Sequence, residues 1–251
     1  MNGVTKLART AYEKVWGSVK TEPWYPNPDQ KRIGEVWFTP PEGSQLLLKL
    51  LFTSENLSVQ VHPNDEQARL YGHLRGKTEM WHILQADPGA KIALGLRSPI
   101  TPAQFPQIEN YLNWIEVHPG QTFFTPAGTI HAIGAGIVLA EIQQLSDVTF
   151  RIYDYGRDRE LHLEQSARVS VLKPHGEAPA TLPVTCPYFH TDRLTVHGTH
   201  QITAPTFLIA IEGEGAINGQ PFQPGDAFYA TDSVEIQSPN AIFLSTRKPL
   251  T

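Results

Sequence analysis

Along this chain, short apolar runs alternate with segments that contain proline and glycine. In the first two-thirds these runs, rich in Val, Ile, Leu, Phe, Tyr and Thr, span residues 35–38, 46–51, 57–62, 79–84, 115–117, 137–142 and 149–153. The chain has 21 prolines and 19 glycines at short intervals. Short strands with frequent turn signals are typical of sandwiches and barrels, so the sequence predicts an all-β fold. Long helices do not alternate with strands, which argues against a parallel doubly wound sheet.

Three short segments carry helical signals. Asn64 is a cap candidate for a helix over residues 65–74, whose first turn is acidic as the helix dipole prefers. Pro102 opens a second candidate, and Asp158 is a cap candidate for a third that ends near Leu172. We expect these helices to decorate a β-core.

The composition changes between residues 173 and 187. This segment, KPHGEAPATLPVTCP, is proline-rich and weakly apolar, which is typical of a linker. Beyond it the strand pattern resumes, with hairpin turn signals at Asn218-Gly219 and Pro224-Gly225. The sequence therefore predicts a first barrel over residues 1–172 and a smaller one over 188–251. The second barrel carries no cluster of metal-ligating side chains and is predicted to be structural.

Composition and charge narrow the classes of function. Hydrophobic residues make up 40% and charged residues 18% of the chain, ordinary values for a globular protein with a buried core. The formal net charge is −5 and no long basic run is present, so we expect no binding to nucleic acid. Phosphate on a small ligand needs only one or two local cations and is compatible with this acidity.

Cysteine use and apolar segments indicate a cytoplasmic protein. Cys186 is the only cysteine, which rules out a disulfide within one chain and fits a reducing compartment. The first residues lack an apolar core of signal-peptide length. The longest apolar stretch, residues 46–52, is interrupted by Lys49 and is too short to span a bilayer. We expect no membrane partner.

Most of the ten histidines need no function. Seven lie among polar or loop residues and are expected at the surface: His73, His118, His162, His175, His190, His197 and His200. His82 lies beside Trp81 in a predicted strand and is expected to be packed or hydrogen-bonded. His62 and His131 differ because of the residues around them.

Polar side chains share strand faces with the first of these histidines. Side chains alternate across a strand, so Ser58, Gln60 and His62 in LSVQVHP point one way, opposite the apolar residues between them. In GKTEMW the same rule places Lys77 and Glu79 on one face. Two neighbouring strands would then present these groups to one small volume.

The second of these histidines, His131, lies in a third segment of the chain. In TPAGTIHAIGAG, a tight turn precedes His131, and the later stretch IVLAEIQQLSDVTFRIYDYGR supplies Glu141 and Arg151. Two histidines, one carboxylate and an amide oxygen form a mixed N/O set that suits zinc first, with manganese, iron, cobalt or nickel as alternatives. No pair matches a tight local ligand motif, so polar residues on a half-solvated sheet remain the competing interpretation.

Four motifs in one order resemble the type I mannose-6-phosphate isomerases, also called phosphomannose isomerases. They are LSVQVHP, GKTEMW, PAGTIHAIGAG and EIQQLSDVTFRIYDYGR, and WGS at residues 16–18, GEVW at 34–37 and LLLKLL fit the same pattern. The resemblance runs from about residue 14 to 172. The short stretch between His62 and His131 lacks the inserted helical domain of larger members, so the chain resembles the short bacterial form.

The resemblance implies two cupin-like (jelly-roll) barrels with one zinc ion per chain and interconversion of mannose 6-phosphate and fructose 6-phosphate. The implied metal ligands are His62, Glu79 and His131, with Gln60 as the fourth. The implied catalytic residues are Arg151, Lys77 and Glu141. The implied substrate-binding residues are Ser58, Lys77 and Arg151.

Such an isomerisation moves a proton between C2 and C1 through an enediolate. It needs a Lewis acid for the negative oxygen and a base near both carbons. Glu141 and Lys77 are equal candidates for the base, ahead of metal-bound water. The alternatives are another metal-dependent cupin enzyme, such as an iron oxygenase or a different sugar-phosphate isomerase, and a non-catalytic sugar-binding or storage cupin. The last would not need Lys77 or Arg151 beside the metal ligands.

Overall fold

Antiparallel β-structure dominates the computed structural model, which describes residues 3–174 and 179–249. The strands of the first part are β1 (Val4–Lys6), β2 (Arg9–Ser18), β3 (Ile33–Phe38), β4 (Leu46–Phe52), β5 (Val59–Val61), β6 (Glu79–Ala86), β7 (Lys91–Leu96), β8 (Leu112–Glu116), β9 (Thr122–Thr125), β10 (His131–Ile133), β11 (Ile137–Gln144) and β12 (Phe150–Tyr153). Those of the second part are β13 (Val184–Thr185), β14 (His190–Ile202), β15 (Thr206–Glu212), β16 (Gly215–Ile217), β17 (Gln220–Phe222), β18 (Ala227–Ala230) and β19 (Val234–Arg247). The helices are α1 (Asp65–Arg69), α2 (Leu163–Val169) and a 3-10 helix (Pro102–Tyr111). The predicted all-β class is confirmed.

The strands form three sheets. The first sheet has the order β2-β3-β4-β11-β6-β9, and the second has the order β12-β5-β10-β7-β8. The third has the order β1-β18-β15-β19-β14-β13, with the β16–β17 hairpin joined to β19. A cavity between the first and second sheets contains most of the polar residues singled out from the sequence.

The first sheet is covered on both faces. Toward the second sheet, Leu51 and Leu139 join an apolar cluster with Ile133 of β10. Toward the third sheet, Leu48 and Leu50 lie in a cluster that also holds residues of β13, β15, β18 and β19. Every residue of β4 and β11 is buried for this reason. Burial on both faces explains why LLLKLLF is a continuous apolar run instead of an alternating one.

The N-terminal strand pairs across the two parts of the chain. Val4 to Lys6 are opposite Phe228 to Ala230, so β1 belongs to the third sheet. The predicted division at residues 172 and 188 into two jelly-roll barrels stays a prediction. Of the predicted linker, residues 175–178 lie outside the described residues, while β13 pairs with the start of β14.

The helices are shorter than the sequence predicts. The capping box is present, since Asn64 Oδ1 accepts from Gln67 N and Gln67 Oε1 accepts from Asn64 N. The helix nevertheless ends at Arg69 instead of residue 74, because the chain turns at Gly72, whose φ is +80°. No helix within residues 3–174 and 179–249 is long and apolar enough to cross a membrane.

The expected cap at Asp158 is wrong. The segment before α2 runs alongside β12, where His162 N donates to Arg151 O at 2.7 Å and His162 Nδ1 accepts from Arg151 N at 3.2 Å. These contacts hold His162 against β12, so α2 begins only at Leu163, with His162 as its N-cap.

Candidate active site

A polar cavity of about 370 Å³ lies between the first and second sheets. Its wall includes five of the residues predicted from the sequence: Ser58, Gln60, Lys77, Glu141 and Arg151. β5 carries Gln60 and β12 carries Arg151 directly opposite it, while β11 brings Glu141 from the other sheet. The topology therefore brings together residues that are distant along the chain.

Three further predicted residues lie buried behind this wall. His62, Glu79 and His131 are each at most 1% exposed, and one ligand atom from each lies within 4.8 Å of the others. The His62 Nε2 atom is 3.6 Å from Glu79 Oε2, and the His131 Nε2 atom is 3.5 Å from Glu79 Oε1. Two ring nitrogens thus converge on one carboxylate.

Backbone carbonyls fix the tautomer of both imidazoles. His62 Nδ1 lies 2.8 Å from Val148 O, and His131 Nδ1 lies 2.8 Å from Thr129 O. A carbonyl can only accept, so each Nδ1 carries the hydrogen and each Nε2 presents a lone pair toward Glu79. This is the outer hydrogen bond that metal-ligating histidines typically make.

The protonation states of the cluster suit a cation. Burial lowers the pKa of His62 well below its usual range and that of His131 to about 4, so both rings are neutral near pH 7. Burial also raises the pKa of Glu79 to about 7 despite the nearby Lys77 ammonium. Glu79 Oε1 has no hydrogen-bond donor among the described residues. A buried carboxylate whose two oxygens each face an unprotonated ring nitrogen is a fitting donor set for a divalent metal.

Gln60 borders the cluster from the cavity side. Its Nε2 atom is 3.3 Å from His131 Nε2, and Ser58 Oγ donates to its Oε1 at 3.3 Å. Rotating the amide by 180° would turn Oε1 toward the histidines and let Nε2 donate to the serine hydroxyl. The fourth-ligand position is therefore within the reach of Gln60.

Lys77 contacts the cluster directly. Its Nζ atom lies 2.8 Å from Glu79 Oε2 and 3.1 Å from His62 Nε2. Burial alone would lower the pKa of Lys77, but the carboxylates of Glu141 and Glu79 outweigh it and raise the pKa above its usual range. Lys77 is thus a buried ammonium that lines the cavity.

Glu141 is held by two partners. Lys49 Nζ lies 3.1 Å from Glu141 Oε1, and Trp81 Nε1 donates to Glu141 Oε2 at 3.2 Å. Burial raises the pKa of Glu141, but Lys49 and Lys77 outweigh burial and lower it to about 2. Lys49 also lies 4.6 Å from the centroid of the Trp37 ring. Sequence reasoning noted Lys49 only as a break in an apolar run, and that break was the available signal.

Arg151 shares the cavity with a second arginine that the sequence did not single out. Arg151 Nη1 donates to Glu160 O at 2.6 Å, while its Nε is buried without an acceptor in the described part of the chain. Burial, and then the charge of Arg159, lower the pKa of Arg151. Two hydrogen bonds of 2.6 Å to Asp154 hold Arg159 in place. The cavity wall thus carries two neighbouring guanidinium groups.

The remaining histidines lie outside this cluster. His82, predicted to be packed or hydrogen-bonded, is buried with its Nδ1 2.9 Å from Thr122 Oγ1, and that prediction is confirmed. His175, predicted at the surface, lies outside the described residues.

Comparisons with known proteins give one consistent result. No model of a known protein family matches the chain. The mannose-6-phosphate isomerase ManA of Bacillus subtilis (strain 168) is 37% identical over 233 residues, 77% of this chain and 74% of that protein. The mannose-6-phosphate isomerase of Streptococcus mutans is 38% identical over 199 residues, 68% of this chain and 62% of that protein.

Solved structures share the fold. The crystal structure of the mannose 6-phosphate isomerase from Bacillus subtilis matches with a TM-score of 0.85 and 23% identity, over 96% of this chain and 98% of that one. A putative mannosephosphate isomerase from Archaeoglobus fulgidus matches with a TM-score of 0.81 and 17% identity, over 98% of each chain. Since the sequence likeness to the curated relatives covers most of both chains, this chain belongs to the mannose-6-phosphate isomerase family of enzymes.

Proposed function

We propose that this chain is a zinc-dependent aldose–ketose isomerase that interconverts mannose 6-phosphate and fructose 6-phosphate. The observation that carries the proposal is the convergence of His62, Glu79 and His131 beside the cavity, in a chain of this family. The family supports the reaction, and the cluster supports a metal ion as the cofactor.

In the proposed site, one zinc ion is held by His62, Glu79, His131 and Gln60. When bound, zinc supplies a Lewis acid that stabilises negative charge on a substrate oxygen. The two neutral imidazoles and the Glu79 oxygen that has no donor among the described residues favour this set, and the amide oxygen of Gln60 would complete a mixed N/O ligand set. Manganese, iron, cobalt and nickel suit the same ligands, so the metal is tested directly below.

The charge of the cavity supports a phosphorylated substrate. Five cationic and three acidic side chains line it, an excess of two positive charges in a chain whose formal net charge is −5: Lys14, Lys49, Lys77, Arg151 and Arg159 against Glu35, Glu141 and Asp147. This local excess matches a phosphate dianion and attracts it from solution. Arg151, with an unpaired Nε, is placed to bind that phosphate or to stabilise charge that develops on the sugar.

The chain's own residues would also move the proton between C2 and C1 through an enediolate. Glu141 is ionised and lines the cavity, so it can accept a proton, whereas Lys77 is an ammonium that can donate to a substrate oxygen. These states favour Glu141 as the base over Lys77. Loss of proton exchange at C2 in a zinc-loaded Glu141→Gln variant would support the assignment, while full exchange would remove it.

The deciding experiment measures fructose 6-phosphate formed from mannose 6-phosphate by protein stripped with a chelator and refilled with zinc. We expect activity to disappear on stripping and to return with zinc. A folded, zinc-loaded protein without turnover would reject the isomerase and favour a sugar-binding cupin, which would bind the sugar phosphate unchanged. Consumption of oxygen by the iron-loaded protein, without formation of fructose 6-phosphate, would favour an oxygenase. A phosphorylated substrate and a free, buried Cys186 both fit the proposed cytoplasmic location.

A further inference from the structure

Four side chains form a row across the first sheet. Lys49 of β4 lies opposite Trp37 of β3 on one side and opposite Glu141 of β11 on the other, and Glu141 lies opposite Trp81 of β6. Residues directly opposite one another in antiparallel strands point to the same face. Because Trp37, Lys49 and Glu141 line the cavity, this face is the one turned toward the second sheet.

Lys49 is an unusual residue for its position. It is 4% exposed, and its neighbours Leu48 and Leu50 point into the apolar cluster on the other face. Burying an ammonium is costly unless it is paired, and here the pairing is with Glu141 at 3.1 Å, with the Trp37 ring face 4.6 Å away. A methionine or leucine would fit an apolar strand at less cost, so the lysine has a use beyond packing.

The contacts of Lys49 restrain a carboxylate on the cavity wall. Glu141 Oε1 forms the ion pair with Lys49, and Glu141 Oε2 accepts from Trp81 Nε1 at 3.2 Å. The Trp81 ring in turn packs edge-on against His131, with centroids 5.4 Å apart. Held on both oxygens, the carboxylate has little freedom to rotate, and its place is tied to that of the His62–Glu79–His131 cluster.

We propose that Lys49 is a positioning residue, which holds the Glu141 carboxylate in the orientation that the isomerisation requires. The inference rests on the proposed function, in which Glu141 acts on the substrate. Lys49 acts through Glu141 and needs no contact with the reacting carbons. A base displaced by about 1 Å loses on the order of 10²-fold in rate, so the effect is measurable.

The kinetic test compares zinc-loaded variants of the full chain. Lys49→Met keeps the length of the side chain but removes its charge, and we expect kcat to fall about 100-fold with KM little changed. Lys49→Arg keeps the ion pair and is expected to retain most of kcat. Lys6→Met is the matched control, since it removes a lysine from a buried carboxylate, Asp226, in the third sheet, and its kcat should equal that of the wild type. A wild-type kcat in Lys49→Met would overturn the proposal.

A second readout needs no turnover. The five tryptophans give five indole N–H signals in a chain labelled with ¹⁵N-tryptophan, and Trp81→Phe identifies the signal of Trp81. We expect this signal to shift in Lys49→Met, because Glu141 is released, and to stay in place in Lys6→Met. An unshifted signal would reject the positioning role even if the enzyme is active. A shifted signal in a protein without turnover would instead reject the proposed function and leave the structural link between Lys49 and Glu141 standing.

A double-mutant cycle isolates the route through Glu141. If Lys49 acts only by placing that carboxylate, Lys49→Met should cost nothing further in kcat once Glu141→Gln is present. Losses that multiply would show that Lys49 acts independently and would reject the proposal.

Lys49→Met removes the lysine partner of a buried carboxylate, so a second variant is needed if Lys49→Met fails to fold. In that case the comparison of Lys49→Arg with wild type replaces it. We expect the Trp81 signal to stay in place and most of kcat to be retained, whereas a shifted signal with unchanged kcat, or an unshifted signal with a loss of kcat of about 100-fold, would reject the proposal.

Discussion

His82 is a buried histidine on the face of β6 opposite to the site. Burial, and then the charge of Arg193, lower its pKa to about 4, against 6.5 for a free histidine. The unfolded chain therefore binds a proton between these pH values that the folded chain does not. Neutral His82 therefore makes its full contribution to the free energy of unfolding above pH 6.5. This contribution, about 3 kcal/mol in total, is lost as the pH falls through 4.

The His82 effect predicts a pH profile for stability. We expect the free energy of unfolding of the metal-free protein, measured with urea, to fall between pH 7 and pH 4.5. In His82→Gln, which cannot titrate, the decrease should be smaller by about 2–3 kcal/mol. Exposed Thr199 gives a control, because Thr199→Ala removes no titrating group and should leave the profile unchanged. Identical profiles for wild type and His82→Gln would contradict the assigned shift.

Residue-scale chemistry was predictable where it lay inside one motif. Strand alternation places Gln60 beside His62, and Lys77 beside Glu79, and the structure joins these pairs in one site. The sequence did not identify Lys49 and Arg159, because their roles depend on partners outside their own motifs. The partner of Lys49 is Glu141 on another strand, and the partner of Arg159 is Asp154 in a turn. Sequence patterns also do not reveal the carbonyl contacts that fix the tautomers of the site histidines.

At the scale of elements, a glycine lets the loop before β6 pass close to the end of β5. A Cβ added at Gly76 would lie 2.4 Å from Pro63 O and 2.4 Å from Asn64 C. Both atoms belong to backbone, so neither can rotate away. This approach also places Lys77 N 3.0 Å from Pro63 O, directly beside His62.

Gly76→Ala is therefore predicted to push two parts of the site apart. We expect a loss of about 1–3 kcal/mol in the free energy of unfolding, as for other overpacked positions, together with weaker zinc binding. Urea unfolding and chelator competition measure the two effects. Arg75→Ala changes a side chain at the neighbouring position without crowding the backbone and should keep zinc affinity. If Gly76→Ala binds zinc as tightly as wild type, the close approach does not shape the site.

Element predictions failed where tertiary contacts decided the outcome. The predicted strands of the first part all overlap observed ones, although their ends differ, as for residues 115–117 against Leu112–Glu116. The segment before α2 carries a helix-cap signal at Asp158, but the hydrogen bonds between His162 and Arg151 of β12 keep it outside the helix. Strands such as β2 and β7 were missed, since the mixed polar pattern of β2 and the single glycine in β7 weaken the signal.

At the scale of the whole molecule, the first and third sheets share one apolar cluster. Phe189, in the part predicted as a second barrel, is fully buried in this cluster and lies 6.3 Å from the ring of Phe124 on β9. The sequence predicts two lobes joined by a linker, and nothing in its pattern reveals how much core they share. Contacts of this kind couple the unfolding of both parts, as does the pairing of β1 with β18.

The position of the tryptophans allows this coupling to be measured. All five precede residue 172: Trp16, Trp24, Trp37, Trp81 and Trp114. Trp24 Nε1 donates to Ile211 O in the third sheet, so the measurement uses a Trp24→Phe background, in which the four remaining tryptophans report on the first two sheets. Phe189→Ala removes a buried ring from the second part and should cost about 3–5 kcal/mol. If the two parts unfold as one unit, the free energy of unfolding measured by fluorescence falls by that full amount, and the fluorescence midpoint in urea coincides with the midpoint from circular dichroism. Thr199→Ala, at an exposed site on β14, should shift neither midpoint. A fluorescence midpoint that is not changed by Phe189→Ala would instead show that the first two sheets, with the His62–Glu79–His131 cluster, are stable independently of the third sheet.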